Sequence, residues 1–232
     1  MNILITGANG MLGGKCTLRL SAKYEVYASN LHEKLLFDSD VDYFQLDLTQ
    51  PQTVKKVIEE VKPEFVINCA AYTDVDGSEE NNELAKDVNV NGVKTLVKYL
   101  KPYGSHIIHI STDYVFDGTN GPYKEEDEIQ PVNYYGKTKY DSEGVLISSS
   151  LPFTIIRTNV LFGNSQSKEA NFVNWVIENL KKGNSIKVVN DQFNNPTWVD
   201  SLAEVIEKVI DKRLEGVYHY GGDDYISQIG RA

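Results

Sequence analysis

Positive charge is scarce in this chain. It carries 23 Lys and Arg against 33 Asp and Glu, a formal net charge of -10. That balance argues against a nucleic-acid or anionic-membrane partner, since either calls for a basic patch. It does not exclude a phosphorylated small molecule, because backbone amides can hold phosphate. Cysteine is scarce too. Cys16 and Cys69 are the two present, both in apolar-patterned segments. Buried free thiols in a reducing compartment follow, rather than a disulfide framework. Long apolar runs are missing: Ile3-Leu4-Ile5 has no basic flank and is far too short for a signal peptide or a membrane span. A cytoplasmic protein is expected. Of the four histidines, His106 and His109 have no evident metal-binding partners and read as structural. There is no internal repeat, low-complexity segment or linker.

What is present suits a globular protein. The 232 residues are 41% hydrophobic and 24% charged, enough for one large domain, or one domain with a smaller appendage. Residues 2–6 read as a buried parallel strand. The strand breaks into Gly7-Ala8-Asn9-Gly10-Met11-Leu12-Gly13, and an amphipathic segment over 12–20 follows. Strand, glycine turn and helix start form the unit that binds a dinucleotide pyrophosphate. The spacing is Gly-x-x-Gly-x-x-Gly rather than the usual Gly-x-Gly-x-x-Gly. A second strand over 25–28 ends at Ser29-Asn30, without the acidic residue that grips the ribose of NAD and without an Arg for a 2′-phosphate, although Lys34 is near. The missing carboxylate removes one repulsion against NADPH and tilts the choice that way.

A third strand (43–46) ends at Asp47-Leu48, and Thr49 is expected to cap a helix with Pro51 in its first turn. The Asp47 carboxylate suits either an adenine contact or a turn. Lys62-Pro63 ends that helix. A fourth strand (65–69) runs into the small residues Ala70-Ala71-Tyr72, which leave room for a ligand. A long helix is expected over 78–99, with Leu84, Val88, Leu96 and Val97 on its apolar side and Asn89 and Asn91 as polar interruptions. The fifth strand (106–110) ends in Ser111-Thr112-Asp113-Tyr114-Val115-Phe116. A hydroxyl there suits a hydrogen bond to a substrate carbonyl, or a Ser/Thr turn. An acidic loop over 119–133 is placed at the pocket rim. A sixth strand (153–157) ends at Arg157, a partner for a substrate phosphate or for a buried carboxylate. Then come a helix over 170–180, a short strand over 187–189, a loop over 191–197, a helix over 199–210 and a last strand over 216–220. Strands alternating with helices imply a parallel, doubly wound α/β sheet.

The stretch Tyr134-Tyr135-Gly136-Lys137-Thr138-Lys139 stands out. On a helix, Tyr135 and Lys139 share one face. A free tyrosine has a pKa of about 10. A nearby positive charge lowers it, and moving it roughly three units is worth about 4 kcal/mol.

Four motifs in one order, the glycine turn, Ser111-Thr112-Asp113-Tyr114-Val115-Phe116, Tyr135-x-x-x-Lys139 and Gln192-Phe193-Asn194-Asn195-Pro196-Thr197, resemble the extended short-chain dehydrogenase/reductases. Within that group the chain is similar to the dTDP-4-dehydrorhamnose reductases. The resemblance implies a Rossmann domain over 1–157 and a substrate-binding region over 158–232, partly interleaved with the sheet and shortened at its C-terminus. It implies reduction of a dTDP-linked 4-keto sugar with NADPH or NADH. Tyr135 would protonate the carbonyl oxygen. Lys139 would lower the Tyr135 pKa and bind the nicotinamide ribose. Thr112 would hydrogen-bond the substrate oxygen, with Ser111 as the fallback. Gly7, Gly10, Met11, Leu12, Asp47, Leu48, Ala70, Ala71 and Tyr72 match cofactor-contacting positions. Asp113, Tyr114, Arg157 and the 192–197 loop, with Gln192, Asn195, Pro196 and Thr197, would face the sugar nucleotide. Asn194-Asn195 stands where the family tends to place a glycine or small residue. A homodimer is allowed. The alternatives are a non-catalytic role like that of the regulatory subunit of methionine adenosyltransferase, or a reductase or epimerase of another nucleotide sugar.

Overall fold

The computed structural model describes residues 1–164 and 172–227. In chain order the strands are β1 (Asn2–Thr6), β2 (Glu25–Asn30), β3 (Asp42–Gln45), β4 (Phe65–Asn68), β5 (His106–Thr112), β6 (Phe153–Thr158), β7 (Leu161–Phe162), β8 (Phe193–Asn194), β9 (Thr197–Trp198), β10 (Gly216–Tyr220) and β11 (Ile226–Ser227). The helices are α1 (Met11–Leu20), α2 (Pro51–Val61), α3 (Val75–Glu80), α4 (Asn82–Lys86), α5 (Gly92–Leu100), α6 (Tyr134–Ile147), α7 (Phe172–Lys181) and α8 (Val199–Lys212).

Seven strands form one parallel sheet in the order β10-β6-β5-β4-β1-β2-β3. Alternate residues of each strand enter opposite cores. Ile3, Ile5, Phe65, Ile67 and Ile108 meet α1 and α8 on one face. Leu4, Val66, Ile107 and Ile155 meet α2, α5 and Leu146 of α6 on the other. Both faces are covered, so the central strands read as nearly continuous apolar runs. The doubly wound sheet expected from the sequence is the one observed. β10 is the outermost strand on the β6 side, and α8 packs beside α1, where Lys15 meets Asp200 at 2.8 Å and Arg19 meets Glu207 at 2.6 Å. These exposed pairs are worth little individually.

Several local expectations are corrected. Thr49 does not cap α2. Its hydroxyl turns back to Asp47 Oδ1 at 2.7 Å, and Gln50 stands at the cap position without a side-chain bond. The long helix begins earlier, at Val75, with Asp74 Oδ1 accepting from the Gly77 N–H at 2.9 Å. It breaks at Asn81, restarts as α4, and passes through a π-helical turn over Asp87–Asn91 before α5. Leu84 is therefore exposed, and Ala85 takes the buried place. No strand forms over 187–189. A strand needs a neighbour to pair with, and here the pairing goes to residues expected in a loop: β8 joins β11, and β9 joins β7. Position 170, where the next helix was expected to begin, lies outside the described residues.

Candidate active site

The face of the sheet under α6 carries two rows of polar side chains. Strand register creates both. Thr6, Asn68 and His109 are lateral partners across β1, β4 and β5. Ser111, Arg157 and His219 are lateral partners across β5, β6 and β10. Buried polar groups need partners, and each row supplies its own. Thr6 donates to Asn68 Oδ1 at 2.6 Å, and Asn68 Nδ2 lies 3.0 Å from His109 Nδ1. His109 Nε2 lies 3.0 Å from Ser142 Oγ and 3.3 Å from Lys139 Nζ, both on α6. In the second row Ser111 donates to Glu143 Oε1 at 2.5 Å, and Arg157 Nη2 meets Glu143 Oε2 at 2.8 Å. Lys139 and Glu143, one turn apart on α6, thus stand on one row each.

The start of α6 is set against the end of β5. Asn133 accepts the Gly136 N–H at 2.7 Å as the cap. Gly136 packs so closely on the turn after β5 that an added Cβ would lie 2.1 Å from the Tyr114 carbonyl oxygen. This brings Tyr135 beside Thr112, Asp113 and Tyr114. The Tyr114 and Tyr135 rings meet edge to face, centroids 5.9 Å apart. The Thr112 hydroxyl donates to Asp113 Oδ1 at 3.1 Å and accepts from the Tyr114 N–H at 3.2 Å. Ser111, the fallback for Thr112, points the other way, into Glu143.

The charges correct one expectation. The Tyr135 phenol is pushed up, not down. Burial is the main cause, the Asp113 carboxylate adds to it, and the Thr112 hydroxyl opposes it. Lys139 does not figure among these influences, because its ammonium is directed under the helix toward His109. Burial pulls Lys139 itself from 10.5 to about 8, against Glu143 and Cys69, which raise it. Burial, then Lys139, holds His109 well below its usual value. Burial raises the Asp113 carboxyl. Tyr135 is therefore a protonated phenol at neutral pH, holding the proton that a carbonyl reduction must deliver.

The glycine turn fits a dinucleotide on its own geometry. Gly7 takes φ 69°, and a Cβ there would lie 2.7 Å from the Ala70 amide nitrogen. A Cβ on Gly13 would lie 2.2 Å from the Gly7 carbonyl oxygen. The turn thus packs flush against the end of β4, and α1 packs flush against the turn. Gly10 at the α1 N-cap offers no side-chain cap, which suits phosphate on the first-turn amides. Asn9 folds residues 34–36 over this turn, donating to the Lys34 carbonyl and accepting from the Leu36 N–H, each at 2.9 Å. The Leu12 and Leu48 side chains lie in the two cores, which leaves their backbone for any ligand contact. Asp47 Oδ1 is engaged in its turn by the N–H and hydroxyl of Thr49. Ala70, Ala71 and Tyr72 lie half-buried past β4. Asn89, in the π-helical turn, clamps both backbone groups of Tyr72 (2.8 and 3.1 Å) and reaches the Thr138 hydroxyl at 2.9 Å. It ties the cofactor side to α6.

The residues expected to face the sugar nucleotide divide. Asp113 and Tyr114 stand beside Tyr135. Arg157 instead meets the buried carboxylate, the second of its two sequence readings: beyond Glu143 its partners are the Glu125 carbonyl and His219. Thr197 is fully buried and accepts from Thr158. Asn195 donates to the carbonyls of Gly222 and Asp224, and Pro196 packs against Gly222. Gln192 is exposed. Among the described residues, Asn194 Oδ1 is a buried side-chain acceptor without a partner.

The family model of the RmlD substrate binding domain matches residues 1–232. The chain is 36% identical to the dTDP-4-dehydrorhamnose reductase of Aggregatibacter actinomycetemcomitans, over 97% of this chain and 74% of that protein. A solved dTDP-4-dehydrorhamnose reductase from Clostridium acetobutylicum superposes with a TM-score of 0.87 at 39% identity, covering 98% of this chain and 76% of that one. The dTDP-4-dehydrorhamnose reductase of Bacillus anthracis, solved in complex with NADP, has a TM-score of 0.85 at 34% identity, covering 97% and 76%.

Proposed function

The chain belongs to the RmlD substrate-binding domain family, and from that premise we propose that it reduces the 4-keto group of dTDP-4-dehydro-L-rhamnose to give dTDP-L-rhamnose. The carrying observation is the junction of α6 with β5, where Tyr135, Thr112 and Asp113 converge beside the turn that suits a dinucleotide. NADPH or NADH, when bound, supplies the hydride. Gly7, Gly10 and the first turn of α1 hold its pyrophosphate. Thr112 turns its hydroxyl from Asp113 to the substrate oxygen, where negative charge develops. Tyr135 gives that oxygen its proton. Lys139 holds positive charge beneath, toward the nicotinamide ribose. Asp113, Tyr114, Gln192, Asn195, Pro196 and Thr197 border the sugar nucleotide, Thr197 by holding its loop in place. Arg157 contributes through Glu143, as a support of α6.

In this reading residues 1–157 carry the cofactor and the chemistry, and 158–232 choose the substrate while lending α8 and β10 to the sheet. No helix among the described residues is long and apolar enough to cross a membrane. A cytoplasmic location and a homodimer complete the proposal, to be read by fractionation and light scattering. The direct test supplies purified protein with NADPH or NADH and the 4-keto sugar nucleotide. Cofactor consumption with formation of dTDP-L-rhamnose is expected. Protein that binds the cofactor yet turns over nothing would overturn the proposal in favour of a binding role.

A further inference from the structure

Residues 117–133 connect the turn after β5 to α6, so the proposed chemistry sits at both their ends. Phe116 closes the turn that holds Thr112 and Asp113, its N–H donating to the Asp113 carbonyl at 3.0 Å. Asn133 caps the helix that carries Tyr135. The loop folds back on its own start. Gln130 donates its N–H to the Val115 carbonyl at 3.0 Å. The Tyr123 ring stacks on Phe116, centroids 4.4 Å apart and 9° from parallel, and its hydroxyl donates to Asp117.

The middle of the loop is fastened to the outermost strand. His219 on β10 gives its N–H to Glu125 Oε1 at 2.8 Å. Its Nδ1 lies 3.2 Å from the Tyr123 carbonyl, and its Nε2 lies 3.3 Å from Arg157 Nη1. A carbonyl only accepts and a guanidinium only donates, so the ring proton sits on Nδ1 and Nε2 presents its lone pair. The same Nη1 donates its second hydrogen to the Glu125 carbonyl at 3.1 Å. One tautomer of His219 thus satisfies the whole set. Phe116 is buried between them, meeting the His219 ring edge to face at 5.5 Å and the Arg157 guanidinium at 5.4 Å. Glu125 and His219 are half-buried.

We propose that Glu125 is a positioning residue. With His219 and Arg157 it latches the loop to the sheet edge, and through Tyr123 and Phe116 it holds the Thr112–Tyr114 turn against Tyr135. β10 comes from the part of the chain read as choosing the substrate, so the latch joins that part to the catalytic turn. Only the kinetic consequence rests on the reductase reading; the latch itself does not. A loop held by a few bonds rather than by a large buried area opens locally when one is lost.

Three substitutions test it. Glu125→Gln keeps an oxygen for the His219 N–H, and Glu125→Ala removes it. His219→Phe keeps a ring against Phe116 and removes both nitrogens. Each protein is compared with wild type by hydrogen exchange of the 117–133 amides, with the 2–6 amides of β1 as the internal control, and by kcat and the dissociation constant for NADPH. Glu125→Ala and His219→Phe should exchange the loop amides about tenfold faster, the scale of one hydrogen bond to a charged group, with β1 unchanged. In both, kcat should fall about tenfold while NADPH binds as in wild type. Glu125→Gln should stay within about threefold of wild type in both readouts. Unchanged loop exchange in Glu125→Ala, faster exchange with wild-type kcat, a parallel loss of NADPH binding, or a Gln variant as impaired as the Ala variant would each overturn the proposal. Wild-type protein that reduces nothing would refute the reductase reading instead, and loop exchange then decides the latch alone. If His219→Phe fails to fold, the two Glu125 variants carry the test.

Discussion

Under α6, Ser111 (3%), Lys139 (2%), Glu143 (0%) and Arg157 (5%) are almost sealed from solvent, and each is placed by hydrogen bonds to a neighbouring element. Past β6, Phe193 (52%) and Trp198 (52%) stand open on pairings only two residues long, and Tyr225 (69%), just before β11, stacks on Phe193. The first region holds its groups in place before any ligand arrives. Among the described residues, the second offers exposed rings and an unpartnered buried acceptor, Asn194 Oδ1. In the proposed reading, reaction type belongs to the sealed region and substrate choice to the open one. This is how one sheet can keep its chemistry while loops vary.

The contrast can be broken most forcefully in the buried region. Arg157→Leu leaves the buried Glu143 carboxylate with Ser111 but without its cation, and loss of a buried ionic partner costs about 3–5 kcal/mol. Urea unfolding should show that loss, and Glu143→Gln in the same chain should recover part of it. Gly136→Ala pushes a methyl group against the Tyr114 carbonyl. Overpacking of this kind costs about 1–3 kcal/mol. It should also slow reduction, because Tyr135 is the adjoining residue; unfolding and turnover measured together check both.

The pH dependence follows from Lys139. On the proposed role of Lys139 the charged amine is the working form, and burial brings its value down to about 8. Activity should be level below that pH and fall as pH rises through it, by about tenfold per unit. A rate profile at saturating substrate checks this. The smallest effect belongs to the open region. Asn194→Ala should raise KM for the sugar nucleotide about fivefold, the worth of about 1 kcal/mol of hydrogen bonding. Neither kcat nor NADPH binding should change. Stability should hold or rise, since an unsatisfied acceptor is removed; steady-state kinetics and thermal unfolding decide it.

The sheet was readable in the sequence because apolar runs and glycine or proline breaks are local signals. So were the glycine turn and the Tyr135–Lys139 spacing. The floor of the site was not. His109 meets Asn68 and Lys139, and Arg157 meets Glu143, only because of strand register and helix docking, which join residues far apart in the chain. One signal was available: a polar residue inside a strand buried on both faces must find a partner. Thr6, Asn68, His109 and Arg157 all fit that description, and Asn89 is its helical counterpart. The missing strand at 187–189 has the same origin, since strand formation depends on a neighbour that propensity does not reveal. The rise in the Tyr135 pKa was missed because helical spacing shows which residues share a face, not where a flexible ammonium ends.

The phenol of Tyr135 is the proposed proton donor. Single-turnover reduction of the 4-keto sugar nucleotide should be compared in wild type and Tyr135→Phe, at matched thermal stability and cofactor occupancy. Loss of the proton donor predicts a fall of about 10²–10⁴-fold. Equal rates in the two proteins would contradict the assignment.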